Sequence, residues 1–213
     1  MTEKIYVHYG CGQHSPKEWM NFDASPTLKI QKTPIVGWLL RNQLGQKFDA
    51  HVKFGDITKG LPGIKEGSAD GVYCSHVLEH MSLEDFRKAL KNTYKILKKG
   101  GRFRIILPDL EPLVRDYIAD KEKKDPEASI TFIKRTLMGA ETRPRGIKGL
   151  GRHLFGYLMH LWLWDYESIE KELKDVGFVN IRRCEFNDSE DEMFKLVENK
   201  RRFELCVKYE AIK

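Results

Sequence analysis

IYVHYGCG, residues 5–12, is the stretch on which the reading of this chain turns. Ile5 to Tyr9 is a β-type run of branched and aromatic residues, and it stops abruptly on Gly10-Cys11-Gly12. Glycine at positions 10 and 12 lets the backbone turn sharply and approach a ligand closely. A dinucleotide fingerprint would need a third glycine at position 15, where the chain has Ser15, and a helix opening directly afterwards. Residues 13–17 (QHSPK) instead connect quickly to the next strand, so a pyrophosphate seated on a helix N-terminus is poorly supported.

Outward from this turn, strand and helix patterns alternate. Residues 19–23 (WMNFD) read as a second strand with its acidic residue at the carboxyl end. Thr33-Pro34 starts a helix whose apolar residues Ile35, Val36, Leu39, Leu40 and Leu44 recur at helical spacing until Gly45. Residues 51–54 (HVKF) lead into Gly55-Asp56, a third strand closing on an aspartate, and residues 69–74 form a fourth. Ser82 and Asp85 resemble a capping box before the stripe Leu83, Phe86, Leu90, Tyr94 and Leu97, which Gly100-Gly101 ends. Residues 102–107 give a fifth strand, stopped by Pro108. Asp165 caps a later helix with Ile169, Leu173 and Val176 inward and Gly177 as its stop, followed by a strand around residues 178–186. The last strand alternates Phe203, Leu205, Val207 and Tyr209 on one face with Glu204, Cys206, Lys208 and Glu210 on the other. Such an order predicts a parallel sheet with helices on both faces, binding its ligand beyond the carboxyl ends of the strands.

A chain of 213 residues suits one domain with an insertion. The four cysteines, Cys11, Cys74, Cys184 and Cys206, are scattered and form no CxxC pair, which fits neither a zinc knuckle nor a disulfide framework and suits a reducing cytoplasm. The N-terminus lacks the apolar run of a signal peptide. The longest near-apolar stretch, residues 154–164, falls short of the ~18 residues of a membrane span. The net charge of +6 is partly local: Arg143, Arg145, Lys148 and Arg152 face one glutamate, Glu141, while four carboxylates crowd residues 188–192.

Asp23 and Asp56 stand at strand ends in the right order to hold a nucleoside. A carboxylate accepts several hydrogen bonds at once, so Asp23 suits a ribose diol, and Asp56 an exocyclic amine with Ile57 against the purine face. Either can equally be an ordinary turn residue. Together, Gly10-Cys11-Gly12, Trp19-x-Asn21-x-Asp23, Gly55-Asp56-Ile57, ADGVYCSHVLEH at 69–80, Leu97-Lys98-Lys99-Gly100-Gly101 and Pro108-Asp109 resemble the class I S-adenosylmethionine-dependent methyltransferases. They are similar in particular to the small-molecule methyltransferase-domain group. The resemblance covers residues 4–110, with Lys99 where proline is common and the first helix nearly absent. It implies a Rossmann-like, mostly parallel seven-stranded sheet with a helical insertion after strand 5, and S-adenosylmethionine as cofactor. It also implies that Tyr9, Gly10, Cys11 and Gly12 surround the methionine part, Asp23 the ribose, Asp56 and Ile57 the adenine, and Cys74, Ser75 and His76 the transferred methyl.

His76, His80 and Asp109 are the candidate catalytic residues; an oxygen acceptor would gain from a base near neutral pKa, which histidine supplies. Asp109 can instead cap the next helix. His76-Val77-Leu78-Glu79-His80 also matches HxxEH, an inverted zinc-protease signature. A zinc hydrolase of that kind needs a third protein ligand on another element, which the sequence does not advertise, and the expectation is no metal. A domain that binds the cofactor without catalysis would carry the same motifs. So would an RNA methyltransferase, although the chain has no recognisable RNA-binding module.

Residues 109–164 emerge over the expected cofactor site and read as an acceptor-binding lid within a single domain at 1–213. Leu110, Leu113, Val114, Tyr117 and Ile118 follow helical spacing, as do Ile130, Ile133 and Leu137. Arg143, Arg145 and Trp164 are the expected acceptor contacts, with a small-molecule, sugar or lipid-linked acceptor in view. Phe155, Tyr157, Trp162 and Trp164 leave three roles open: lid, membrane-surface patch or core.

Overall fold

In the computed structural model, which describes residues 4–40, 47–142 and 159–213, the strand-forming runs assemble into one sheet. Its strands are β1 (Tyr6–Tyr9), β2 (Met20–Asp23), β3 (Lys53–Phe54), β4 (Ala69–Ser75), β5 (Leu97–Pro108), β6 (Val179–Arg183) and β7 (Cys206–Ile212), in the order β3-β2-β1-β4-β5-β7-β6. The first five are parallel, and β7 runs antiparallel to β5 and β6. The mostly parallel seven-stranded sheet expected from the sequence is therefore present. Chain order reverses between β1 and β4, so the topological switch point lies at their carboxyl ends.

The helices among the described residues are α1 (Pro26–Gln31), α2 (Pro34–Leu40), α3 (Leu83–Ile96), α4 (Leu110–Glu122), α5 (Ala128–Thr136) and α6 (Tyr166–Val176). Ser25 caps α1 by accepting from the Thr27 and Leu28 amides, with Pro26 at the first position. Ser82 caps α3 through the Asp85 amide at 3.2 Å, but the reciprocal half of the box is missing, because the Asp85 carboxylate takes the Ser82 hydroxyl instead. Asp165 and Ser168 form the full box on α6, which Gly177 ends at φ +108.

Alternation along the strands splits the molecule into two layers. Val7, Tyr9, Val72, Cys74, Phe103, Ile105, Val207 and Tyr209 pack one face of the sheet against Phe86 and Leu90 of α3 and Ile169 and Leu173 of α6. Tyr6, Tyr73, Ile106 and Cys206 point to the other face, where Trp19, Phe194, Val197 and Phe203 cover them. The cover on that side comes from two 3-10 turns between β6 and β7, Glu192–Leu196 and Lys200–Phe203, where the connection at residues 13–18 supplies no helix.

The last strand starts later than its alternation suggests. Leu205 has φ +52 and is 69% exposed, and β7 begins at Cys206. Its partner there is Pro108, which has no N–H to carry the ladder further. Residues 109–164 leave and re-enter the fold at one point: the Leu110 amide donates to the Trp164 carbonyl at 2.9 Å beside a bridge between Asp109 and Trp164. Within the excursion α4 and α5 pack on each other, Tyr117 against Phe132, and α4 buries no residue completely. Among the described residues no helix is long and apolar enough to cross a membrane.

Candidate active site

At the switch point Gly10 and Gly12 adopt φ +65 and +55. The Cys11 amide donates to the Phe22 carbonyl, and the Gly12 amide to Asp23 Oδ2 at 3.0 Å. Asp23 Oδ1 accepts from Ser25 N–H at 2.8 Å. One carboxylate thus ties the turn after β1 to the end of β2 and the start of α1. Each oxygen receives a single N–H, which leaves accepting capacity on both. Burial raises the Asp23 pKa, with the Ser25 and Gly12 amides opposing it. A Cβ on Gly10 would stand 2.1 Å from Val77 Cγ2, so the turn passes directly under the segment that follows β4.

Asp56 caps the turn Ile57–Lys59: its Oδ1 accepts from the Thr58 amide and hydroxyl, and Lys59 lies 3.0 Å from Oδ2. Against its partial burial, these partners lower its pKa. Four other expected contacts are core side chains: Ile57, Tyr9, Cys11 and Cys74 are each 2% exposed or less. The Tyr9 hydroxyl accepts from Thr93 inside the core. Ile57 therefore does not present its side chain to a purine. Tyr9, Cys11 and Cys74 have only their backbone to offer a ligand, as does Ser75, whose hydroxyl is buried without a partner.

Past β4 the chain turns through His76 at φ +54, a left-handed conformation that strains a residue carrying a side chain. Its amide bonds the Ile106 carbonyl, Nε2 lies 3.0 Å from the Arg202 carbonyl, and Nδ1 lies 3.5 Å from Glu79 Oε1. Burial disfavours its charge, yet the Cys206 sulfur and the Glu79 carboxylate outweigh it and push the imidazole up to about 10. Carrying both protons, His76 holds the turn and has no lone pair for accepting a proton from an acceptor. His80 sits on a separate 3-10 turn, Leu78–His80, with Nδ1 3.0 Å from the Met159 carbonyl. The HxxEH residues thus do not share a helical face. Beside His80 stands His160, ring to ring at 5.1 Å, and burial lowers the His160 pKa.

Asp109 caps α4 by accepting from Glu111 N–H at 2.9 Å. Trp164, expected at the acceptor, lies in the core at 3% exposure with its ring 4.2 Å from Phe86. The reason is its position: the bridge to Asp109 makes it the first residue back in the sheet layer. Arg143 and Arg145 lie outside the described residues. Two contributors carry little signal in the sequence. Arg202 donates to the Ser75 carbonyl at 3.0 Å and, with Gly12, His14, Tyr73 and Asn199, lines a cavity of about 300 Å³ beside the Gly10–Gly12 turn. His160 interrupts an apolar run, the one local sign that it had a polar task.

A family model described as a methyltransferase domain matches residues 7–105, from β1 into β5. A solved S-adenosylmethionine-dependent methyltransferase from Archaeoglobus fulgidus is similar with a TM-score of 0.51 and 18% identity, over 99% of this chain and 86% of that one. Another, from Thermotoga maritima, gives a TM-score of 0.52 and 18% identity, over 100% of this chain and 84% of that one. None of the curated proteins matches the chain. At such identities the structures speak for the fold, and the family model speaks for the domain. Residues 7–105, the strands that carry the Gly10–Gly12 turn, Asp23 and Asp56, thus match a methyltransferase domain, and the chain as a whole has the fold of the solved S-adenosylmethionine-dependent methyltransferases.

Proposed function

We propose that this cytoplasmic enzyme methylates a small-molecule, sugar or lipid-linked acceptor, with the cofactor across the ends of β1, β2 and β4. The observation that carries the cofactor assignment is the double tie of Asp23 to Gly12 and Ser25. It fixes the carboxylate at the switch point while leaving each oxygen able to accept once more, which suits the two hydroxyls of a ribose. Asp56, with most of its accepting capacity taken by Thr58 and Lys59, retains enough for a single amine hydrogen of an adenine. The Gly10–Gly12 backbone suits the methionine part, and the Arg202 cation in the adjoining cavity suits its carboxylate.

When bound, S-adenosylmethionine supplies a methyl group already activated on a sulfonium. What remains for the chain is alignment and exclusion of water. His76 positions the end of β4 by its hydrogen bond to the Arg202 carbonyl and its charge beside the Glu79 carboxylate. Residues 109–164 are assigned to the acceptor as a lid. Ile118, Ile130, Ile133, Leu137, Leu161 and Trp162 are each at least 40% exposed within it, which favours an acceptor with an apolar portion.

Calorimetric titration tests the cofactor assignment: S-adenosylmethionine and its demethylated product should bind, and NAD should not. Screening acceptors with methyl-labelled cofactor tests the rest. Label in a sugar or lipid-linked product supports the proposal, whereas label only in RNA, or cofactor binding with no product from any acceptor, overturns it. Replacing Arg143 and Arg145 with alanine should weaken the acceptor and leave cofactor affinity intact; normal turnover of the acceptor in that variant would make the segment scaffold rather than lid.

A further inference from the structure

Glu79 is 1% exposed, and neither oxygen of its carboxylate has a hydrogen-bond partner. His76 approaches one of them at 3.5 Å and leaves the other with nothing. Across from it stand His80 and His160, and one ligand atom from each of the three residues lies within 4.8 Å of the others. His76 faces only Oε1 and at more than hydrogen-bond distance, so burial still penalises the carboxylate and Oε2 calls for a further partner.

The two imidazoles are set up to donate lone pairs toward the same spot. His80 Nδ1 faces the Met159 carbonyl at 3.0 Å, which places a proton there, so that in the neutral ring the lone pair is on Nε2, 3.9 Å from Glu79 Oε1. His160 is hydrogen-bonded to the Thr136 backbone, while its Nδ1 is buried without a partner. Backbone carbonyls that fix the outer nitrogen and turn the inner one to a common point are the arrangement found around metal-bound histidines. The platform is fixed as well: the Leu161 and Trp162 amides both donate to the Glu79 carbonyl, and the His160 amide donates to Leu137.

We propose that Glu79, His80 and His160 bind one divalent transition-metal ion of the zinc class. Two imidazole nitrogens and one carboxylate oxygen match zinc and its neighbours, whereas calcium and magnesium take oxygen ligands. Ligands on one tetrahedral ion stand about 3.3 Å apart, so closing the trio needs side-chain movements of roughly 1 Å. Three protein ligands leave a position for water or an acceptor oxygen, and the His80 side chain, 21% exposed, puts the ion within reach of solvent. Such an ion would staple the end of β4 to the segment that returns from the lid. It also answers the objection to a metal raised by the sequence: the third ligand exists, 80 residues from His80, and His76 is not one of the three.

Untagged full-length protein, stripped with chelator and titrated with Co²⁺, tests this through the visible spectrum, with Zn²⁺ in competition. We expect one equivalent bound, with the band intensity of a four- or five-coordinate ion, displaced by Zn²⁺. His80→Gln, His160→Gln and Glu79→Gln should each weaken binding by about 100-fold, at least the loss produced by disturbing a metal site's supporting shell. No Co²⁺ spectrum from the native protein overturns the proposal, and so does equal binding by the native protein and a His80→Gln/His160→Gln double variant. S-adenosylhomocysteine binding in the same samples separates this result from the methyltransferase reading, because either can fail while the other stands.

Discussion

Asp23→Asn probes the cofactor assignment with the smallest change of shape. In the native chain the two oxygens take the Gly12 N–H at 3.0 Å and the Ser25 N–H at 2.8 Å. An amide keeps one oxygen and turns an NH₂ toward the other backbone donor, so one buried N–H loses its acceptor at a cost of about 1–3 kcal/mol. A second effect opposes this. Burial raises the Asp23 pKa, so the ionised carboxylate is itself disfavoured there and a neutral amide is not. The net loss of stability should be about 1 kcal/mol, a fall of roughly 2–4 °C in Tm for a chain of this size. Binding should suffer more. Hydrogen bonds to a charged acceptor contribute about 1.5–3 kcal/mol each, and the amide weakens one ribose contact and reverses the polarity of the other. A total near 3 kcal/mol corresponds to roughly 100-fold in Kd. Calorimetry with S-adenosylmethionine measures the second quantity and thermal denaturation the first. Affinity within threefold of native, with the expected fall in Tm, would show that Asp23 only braces the turn, and the ribose assignment would be wrong.

Gly10→Ala should lose about 2–5 kcal/mol in urea denaturation, from the left-handed backbone and the 2.1 Å approach to Val77, and Val77→Ala should restore part of it. Trp164→Ala should cost about 3–5 kcal/mol, as a buried aromatic does, and leave cofactor Kd unchanged; a selective loss of acceptor affinity would return this residue to the acceptor site. Arg182 and Arg104 hold Asp188 down to about 2 against its burial, from an ordinary 3.8. A folded pKa below the unfolded one means that this contribution to stability is complete above about pH 4–5 and is lost as pH falls toward 2, and Asp188→Asn should flatten that part of the acid-denaturation curve.

What the sequence made legible was local. Strand runs ending on Gly10, Asp23 and Asp56, the caps at Ser82 and Asp165 and the stop at Gly177 all rest on residues within a few positions of one another, and each element formed. The short α1 was missed although Ser25-Pro26 carries the same signal as Thr33-Pro34; six residues give too little periodicity to show. Assigning side chains to the cofactor needed more than the local pattern, because Tyr9 and Cys74 lie at strand ends and Ile57 in the turn after one, and only packing decides that they turn into the core. His160 and Arg202 could not be placed at all. His160 meets Glu79 and His80, and Arg202 meets Ser75 and His76, across more than 75 residues, and nothing local encodes those meetings.

The nearly absent first helix explains where Arg202 comes from. Without a helix after β1, one face of β1 and β4 needs another cover, and the chain between β6 and β7 supplies it with Phe194, Val197 and Phe203. Those turns are too short to hold themselves in place. Their anchor is Arg104, fully buried in β5, which meets Glu198 at 2.6 Å, Asp188 at 2.9 Å and Glu210 at 3.0 Å. Four residues past Glu198, Arg202 donates to the Ser75 carbonyl and accepts from His76, closing the line from the ion cluster to the end of β4. Arg104→Met tests this chain of supports. Glu210 and Asp188 would keep Arg182, but Glu198 would lose the cation beside it while remaining buried. A loss of about 3 kcal/mol is expected, at the low end for breaking a buried pair because only one carboxylate is stranded. Denaturation measures that loss, and adding Glu198→Gln should recover part of it. If cofactor affinity in the folded variant equals the native value, the cluster supports the fold alone. A weakened affinity without unfolding would show that the turns carrying Arg202 must be held in register for the site at the end of β4 to form.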